Sequence, residues 1–258
     1  MPTPRLRVFA GPNGSGKSTI KEQVPPNLIN TYVNADEIEK SAKADGFVDL
    51  TQFNVQATGD ELRTFFASHA LIQKEHLQDQ ASLFDMNGLR IDVRRLDFNS
   101  YHASVIADLI RQKLLENRVS FTFETVMSSG DKVAFMRRAQ ELGYRTYLYF
   151  VATDNPNINI NRVANRVDDG GHNVPADKIV QRYHRSLKLL PEAVAASNRA
   201  YIFDNSGEGS VWLAEITDGT SLEYKSEEQP DWFMEAYVDK VMNCLLYTSP
   251  SPRAKRQS

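Results

Sequence analysis

The first apolar run of the chain, Leu6 to Ala10, has the length of a buried strand and leads straight into a glycine-rich segment, Gly11 to Thr19, ahead of a helical stretch. Three further runs repeat the strand pattern: Thr31 to Val33, Phe121 to Phe123, and Thr146 to Val151, the last following the turn Leu142-Gly143-Tyr144. Strands separated by helical stretches predict a parallel sheet with ligands at its carboxyl ends. Between Glu37 and Val119 the alternation breaks for about 80 residues, more than a crossover helix needs, which predicts an inserted cap. Within it, Thr58-Gly59-Asp60-Glu61 has capping-box spacing ahead of Leu62, Phe65 and Phe66, and Ile106, Leu109, Ile110 and Leu114 mark a second amphipathic helix. Asn87-Gly88, set between Phe84, Met86 and Leu89, Ile91, Val93, predicts a hairpin.

After the fourth strand, helices are expected over Ile158 to Val167 and Ala176 to Ala196, joined by Asp168-Asp169-Gly170-Gly171-His172-Asn173-Val174-Pro175, whose glycine pair predicts a mobile loop. Tyr201 to Asp204 reads as a fifth strand, Val211 to Ile216 and Ser221 to Tyr224 as a small hairpin, and Asp231 to Met242 as a last helix. Thr248 to Ser258 has no aliphatic residue beyond Ala254, and its Pro-Ser-Pro wording resembles translated vector sequence. The expected organisation is one domain over residues 1–243 with a cap inserted at about 37–119, and a disordered, non-native tail over 244–258.

Composition narrows the class without naming it. With 258 residues, 41% hydrophobic and 24% charged, the chain has the make-up of an ordinary globular protein. A net charge of −3 leaves no overall basic footprint, so nucleic acid is not the expected partner. Cys244 is the only cysteine, which excludes an internal disulfide and a cysteine-based metal site and fits a reducing compartment. Met1 to Arg7 carries no apolar signal segment and no run of about 18 apolar residues occurs, so cytoplasm is the expected location and no membrane is expected.

The segment Gly11-Pro12-Asn13-Gly14-Ser15-Gly16-Lys17-Ser18-Thr19 is a Walker A loop. Gly11 and Gly16 allow successive backbone N–H groups to turn inward around phosphates, and the following helix adds its positive end. Lys17 supplies a point charge to the β and γ phosphates, and Ser18 is placed to hold Mg²⁺. ATP or GTP with Mg²⁺ is therefore the expected ligand.

Asp36 lies just past the second strand. Such a carboxylate can take the proton of an attacking hydroxyl, or it can cap the helix that follows. Glu124, with Thr125 beside it, closes the third strand where a second acidic group serves Mg²⁺ or substrate; a solvated strand end is the alternative. Arg162 and Arg166, four apart on one helix face, suit a lid that closes over a transferring phosphate, or form surface pairs with Asp168 or Asp169. Arg182 and Arg185 are weaker candidates of the same kind. His172 either touches a ligand or shapes its loop. The remaining histidines, His69, His76, His102 and His184, share no metal-ligand spacing.

These residues resemble the zeta-toxin group of P-loop kinases. The likeness lies in Gly11 to Thr19, Asn34-Ala35-Asp36, Phe123-Glu124-Thr125, and Arg162-Val163 through Gly170-Gly171-His172-Asn173-Val174-Pro175, with Val126 standing where the family pattern has a second hydroxyl residue. It implies an α/β fold: a P-loop NTPase three-layer sandwich with a central parallel sheet, a helical insertion, and a small C-terminal hairpin plus helix. It also implies transfer of phosphate from ATP to a hydroxyl of a small molecule, UDP-N-acetylglucosamine being the acceptor associated with the toxins. By that resemblance Asp36 is the catalytic base, Glu124 helps hold substrate with Thr125 and His172, and Arg162 contacts the transferred phosphate. An antitoxin protein comes into view as a partner. The competing classes are an ABC-type or regulatory ATPase, which shares the loop wording but whose Leu-Ser-Gly-Gly-Gln-like signature is absent, and a nucleic-acid end kinase, for which only Arg90, Arg94 and Arg95 hint at a basic channel.

Overall fold

The computed structural model describes residues 3–168 and 174–242, so His172, Cys244 and the tail expected at 244–258 lie outside the described residues. Strand β1 spans Arg5–Ala10, followed by α1 (Lys17–Gln23), α2 (Pro26–Ile29), β2 (Thr31–Val33) and α3 (Ala35–Asp45). The intervening segment holds β3 (Phe47–Asp49), α4 (Gly59–Ser68), α5 (Ala70–Lys74), β4 (Asp85–Asn87) and β5 (Arg90–Asp92). Then come α6 (Ser100–Glu116), β6 (Phe121–Thr125), α7 (Asp131–Glu141), β7 (Arg145–Ala152), α8 (Pro156–Asp168) and α9 (Ala176–Ala195). The chain continues with β8 (Arg199–Asp204), β9 (Val211–Thr217), β10 (Ser221–Tyr224) and α10 (Asp231–Phe233). The expected α/β class holds: helices flank a mostly parallel sheet of seven strands, ordered β10-β9-β8-β7-β1-β6-β2, and a second sheet has the order β3-β5-β4.

The chain divides into two compact units, one of Met1–Ala10, Lys17–Thr125 and Phe135–Tyr147, the other of Gly11–Gly16, Val126–Ala134 and Leu148–Ser258. In the first, β6 runs parallel to both neighbours, with Leu6 and Thr31 each opposite Phe121. Leu6, Val8, Phe9 and Ala10 have no exposure, as a strand covered on both faces requires. The apolar stripe Val105, Ile106, Ile110 and Leu114 of α6 is buried. Phe135 of α7 meets the Phe123 ring edge-on at 5.8 Å. The expected capping box is present on α4, with Thr58 N–H donating to Glu61 at 2.8 Å and Glu61 N–H to Thr58 at 3.2 Å. The Asn87-Gly88 hairpin joins β4 to β5 as its turn chemistry predicts, and β3 adds the strand that periodicity did not show, pairing Val48 with Ile91.

In the second unit β9 is antiparallel to β8 and β10, with a bulge between Ile202 and Phe203. Tyr183, Leu190 and Val194 bury one face of α9. The last helix begins at Asp231 as expected and is helical through Met242, the last described residue, but its interior is a π-helical turn over Met234–Val238. It is anchored by Trp232, whose ring lies 6.4 Å from Phe150 and whose Nε1 donates to Asp204 at 2.8 Å. No helix among the described residues is long and apolar enough to cross a membrane.

Candidate functional site

Gly11 to Gly16 follow β1 as the Walker spacing requires, and what shapes the loop is hydrogen bonding from residues far away in sequence. Asn159 of α8 donates to Asn13 O at 2.6 Å, Arg182 of α9 reaches Asn13 Oδ1 at 3.4 Å, and Asn205 donates to Ser15 O at 2.8 Å. Asn159 is itself fixed by Thr153, whose hydroxyl donates to Oδ1. Gly11 and Gly16 have φ of +139° and +93°, and a Cβ at Gly11 would lie 1.9 Å from Val151 O. The Ser15 hydroxyl is buried without a hydrogen-bond partner among the described residues.

Lys17 opens α1 and Ser18 is exposed beside it. In the same unit, the Ser18 hydroxyl donates to Glu124 Oε1 at 3.2 Å. Sequence reasoning ends the third strand at Phe123; the strand continues through Thr125, and Glu124 stands in register with Phe9. The carboxylate is thus held on the rigid strand beside β1, and the alternative of a merely solvated strand end does not describe it. Tyr32 donates its hydroxyl to the same Oε1 at 2.5 Å and accepts Asn34 Nδ2 at 3.0 Å. Burial, with the Glu124 carboxylate beside it, pushes the Tyr32 phenol well above its usual range, so it remains a proton donor. Lys21 Nζ sits 4.0 Å from the centre of the Tyr32 ring.

Asp36 does not cap the helix. The cap is Asn34, in extended conformation, whose side chain accepts the Asp36 N–H at 2.9 Å; Asp36 is exposed in the first turn of α3. Both residue types cap well, and the helix start at Ala35 decides between them. Arg162 donates to Asn205 O at 2.7 Å and Gly207 O at 3.2 Å; Asp169, one of the acids expected as its surface partner, lies outside the described residues. Arg166 is exposed on the same helix. Arg185 bonds within its own helix, to Gln181 O at 3.2 Å. Arg90 and Arg94, the hint of a basic channel, both stack on Phe47, at 4.3 and 4.7 Å, and Arg94 pairs with Asp92 at 2.5 Å. Tyr32, Asn159 and Asn205 are site residues that sequence reasoning missed; none stands in a spacing that marks it.

The donor set fits Mg²⁺ carried with a triphosphate. Ser18 and Glu124 offer hard oxygens, and among the described residues no group of three or more His, Cys, Asp or Glu could hold a metal by itself. Mg²⁺ characteristically takes one or two protein oxygens, with phosphates and water completing its shell.

Comparison with known proteins agrees with the motifs. The zeta toxin family model matches residues 95–217, a span that holds Glu124 and Arg162 and leaves out the Walker loop and Asp36. An uncharacterized protein of Haemophilus influenzae is 23% identical over 117 residues, 45% of this chain and 76% of the relative. Among solved structures, the PezAT chromosomal toxin-antitoxin system of Streptococcus pneumoniae is similar at TM-score 0.51 and 15% identity, covering 95% of this chain and 85% of that one. A chain of the AvrRxo1-ORF1:AvrRxo1-ORF2 complex with sulphate ions is similar at TM-score 0.52 and 14% identity, and the same complex with ATP at 0.52 and 15%. These matches cover 87% and 86% of this chain, which spans only 62% and 61% of those chains. Residues 95–217 thus resemble the zeta toxin family in sequence, and the fold is similar to that of the PezAT and AvrRxo1-ORF1:AvrRxo1-ORF2 structures.

Proposed function

We propose that this chain is an ATP-dependent kinase that transfers the γ-phosphate to a hydroxyl of a small molecule, with nucleotide sugars such as UDP-N-acetylglucosamine as the first acceptors to test. The zeta-toxin likeness supports a P-loop kinase in general. The observation that carries the reading for these residues is the 3.2 Å bond from Ser18 to Glu124, which places a fixed carboxylate beside the Walker serine. Gly11 to Gly16 would cradle the phosphates through backbone N–H groups, and Lys17 would set its charge against the β and γ phosphates. Mg²⁺, held by Ser18 with Glu124, would neutralise charge on the phosphate oxygens.

Asp36 would accept the acceptor's hydroxyl proton as its oxygen bonds to the γ-phosphorus; the bond from that phosphorus to the β,γ-bridging oxygen breaks and ADP leaves with the electron pair. Arg162 would exchange two backbone carbonyls for phosphate oxygens, with Arg166 on the same helix. Thr125 and His172 are proposed to contact the acceptor. An antitoxin-type protein is the proposed partner, as in the toxin-antitoxin system named for the PezAT neighbour.

The test is incubation of the purified chain with γ-labelled ATP and a panel of UDP-sugars, nucleotides and aminoglycosides. Label on one acceptor class is the expected result. Steady ATP hydrolysis with no acceptor labelled would favour a regulatory ATPase instead.

A further inference from the structure

One bonded path leaves the Walker serine and ends on the helix that bears Asp36. Glu124 Oε1 accepts both the Ser18 hydroxyl, at 3.2 Å, and the Tyr32 hydroxyl, at 2.5 Å. The Tyr32 oxygen accepts Asn34 Nδ2 at 3.0 Å, and Asn34 Oδ1 accepts the Asp36 N–H at 2.9 Å. Register explains the reach. Tyr32 lies opposite Thr122 on β6, and Glu124, two residues further on, shares the face of Thr122.

We infer that Tyr32 is a positioning residue: its hydroxyl fixes the Glu124 carboxylate toward Ser18 and ties that pair to the start of α3, where Asp36 sits. This rests on the kinase reading above and adds a residue to it. A glutamate at a strand end has several rotatable bonds, and the second donor on Oε1 removes that freedom. Once fixed, the carboxylate accepts the hydrogen bond from the Ser18 hydroxyl, which turns the serine oxygen lone pairs toward a divalent cation. Phenylalanine would fill the same volume and keep the ring beneath Lys21, but it cannot donate.

The experiment is an ATP titration by calorimetry, in EDTA and across a Mg²⁺ series, on the wild type, Tyr32→Phe, Glu124→Ala and the double variant, each checked by thermal melting. In EDTA, Tyr32→Phe is expected to bind ATP within about twofold of wild type, while the Mg²⁺ needed for half-maximal tightening rises about tenfold. In the Glu124→Ala background, loss of the hydroxyl adds less than about twofold. Asn34→Ser keeps a capping oxygen but lacks the amide donor; it should shift the Mg²⁺ series in the same direction, and it serves as the test if Tyr32→Phe does not fold.

An unchanged Mg²⁺ series in a folded Tyr32→Phe would overturn the inference alone. Equal losses with and without Mg²⁺ would overturn it too, since they mean packing only. Wild type whose ATP binding ignores Mg²⁺ would overturn the kinase reading and this inference together.

Discussion

Asn205 Nδ2 lies 2.0 Å from the point where a side chain on Gly16 would begin, while the same amide holds Ser15 O at 2.8 Å. The loop is locked by a side chain that itself requires glycine at its neighbour. Gly16→Ala therefore meets two obstacles, the contact with Asn205 and a φ of +93°. The backbone strain alone is about 1–3 kcal/mol, enough to lower Tm by several degrees and to weaken ATP binding. Adding Asn205→Ala should relieve the contact but not the strain, so melting recovers only in part. Full recovery would show that φ at this position costs nothing.

Lys17→Ala should leave the melting temperature near that of wild type, because Lys17 is half-buried in the first turn of α1 and is not among the buried core side chains. If Lys17 acts as proposed, phosphoryl transfer should fall by about 10²-fold or more, since the charge set against the β and γ phosphates is lost. Undiminished turnover in a labelled-ATP assay would remove the central assignment.

How far the sequence carries depends on whether a feature is local. The Walker loop, the capping box of Thr58 and Glu61, the Asn87-Gly88 hairpin and β2 at Thr31–Val33 are written in adjacent residues, and each lies where its spacing places it. The partners that lock the loop are not legible in that way. Asn159, Arg182 and Asn205 reach residues 13 and 15 from well over a hundred positions away, and an isolated asparagine carries no periodic signal. The Tyr32 hydroxyl is hidden for another reason. In Thr31-Tyr32-Val33 a tyrosine reads as an ordinary strand former, and only the register with β6 brings it to Glu124. The cap of α3 turned on one residue, since Asn34 and Asp36 suit the role equally until the helix start is known.

Arg162 and Arg166 make separable predictions. Arg162 holds Asn205 O and Gly207 O, so Arg162→Ala should lower Tm by a few degrees, charged hydrogen bonds contributing about 1.5–3 kcal/mol in favourable cases. Arg166 is exposed, and Arg166→Ala should lower Tm less than Arg162→Ala does. If both act on the transferred phosphate, kcat falls at least about tenfold in each while ATP affinity changes much less. A Tm loss in Arg162→Ala with kcat unchanged would leave it as an anchor for the 205–207 turn only.

Glu61 gives a pH dependence with a defined sign. The hydrogen bond from Lys113, then the Thr58 N–H, lowers its carboxyl to about 2 from an ordinary 4.5. A group whose pKa is depressed on folding stabilises above its unfolded value and loses that contribution as pH falls through the folded one. The window therefore runs from about pH 4.5 down to about pH 2. The side chain is 48% exposed, so screening reduces the effect to a small Tm change. The Tm gap between wild type and Glu61→Gln should shrink as pH is lowered from about 6 to about 3. A gap that stays constant or widens would contradict the ion pair with Lys113.

Asp36→Asn separates chemistry from structure more cleanly than any other change, because Asn34 holds the cap and Asp36 is exposed beside it. The substitution removes a negative charge from the first turn of α3, a loss of about 0.3–1 kcal/mol through the helix dipole. Its shape is kept, and the Asp36 N–H still donates to Asn34 Oδ1. Stability should therefore fall slightly, and ATP binding with Mg²⁺ should persist, since no required contact with the triphosphate is assigned to this carboxylate. Phosphoryl transfer should drop by about 10² to 10⁴, the usual contribution of a positioned general base. The measurements are ATP affinity by calorimetry and the initial rate of acceptor labelling on the same preparation. Loss of Mg²⁺-dependent binding would move Asp36 from proton acceptor to metal holder beside Ser18 and Glu124. Transfer at the wild-type rate would remove it from the chemistry, and with it the reason for expecting the acceptor hydroxyl at the start of α3.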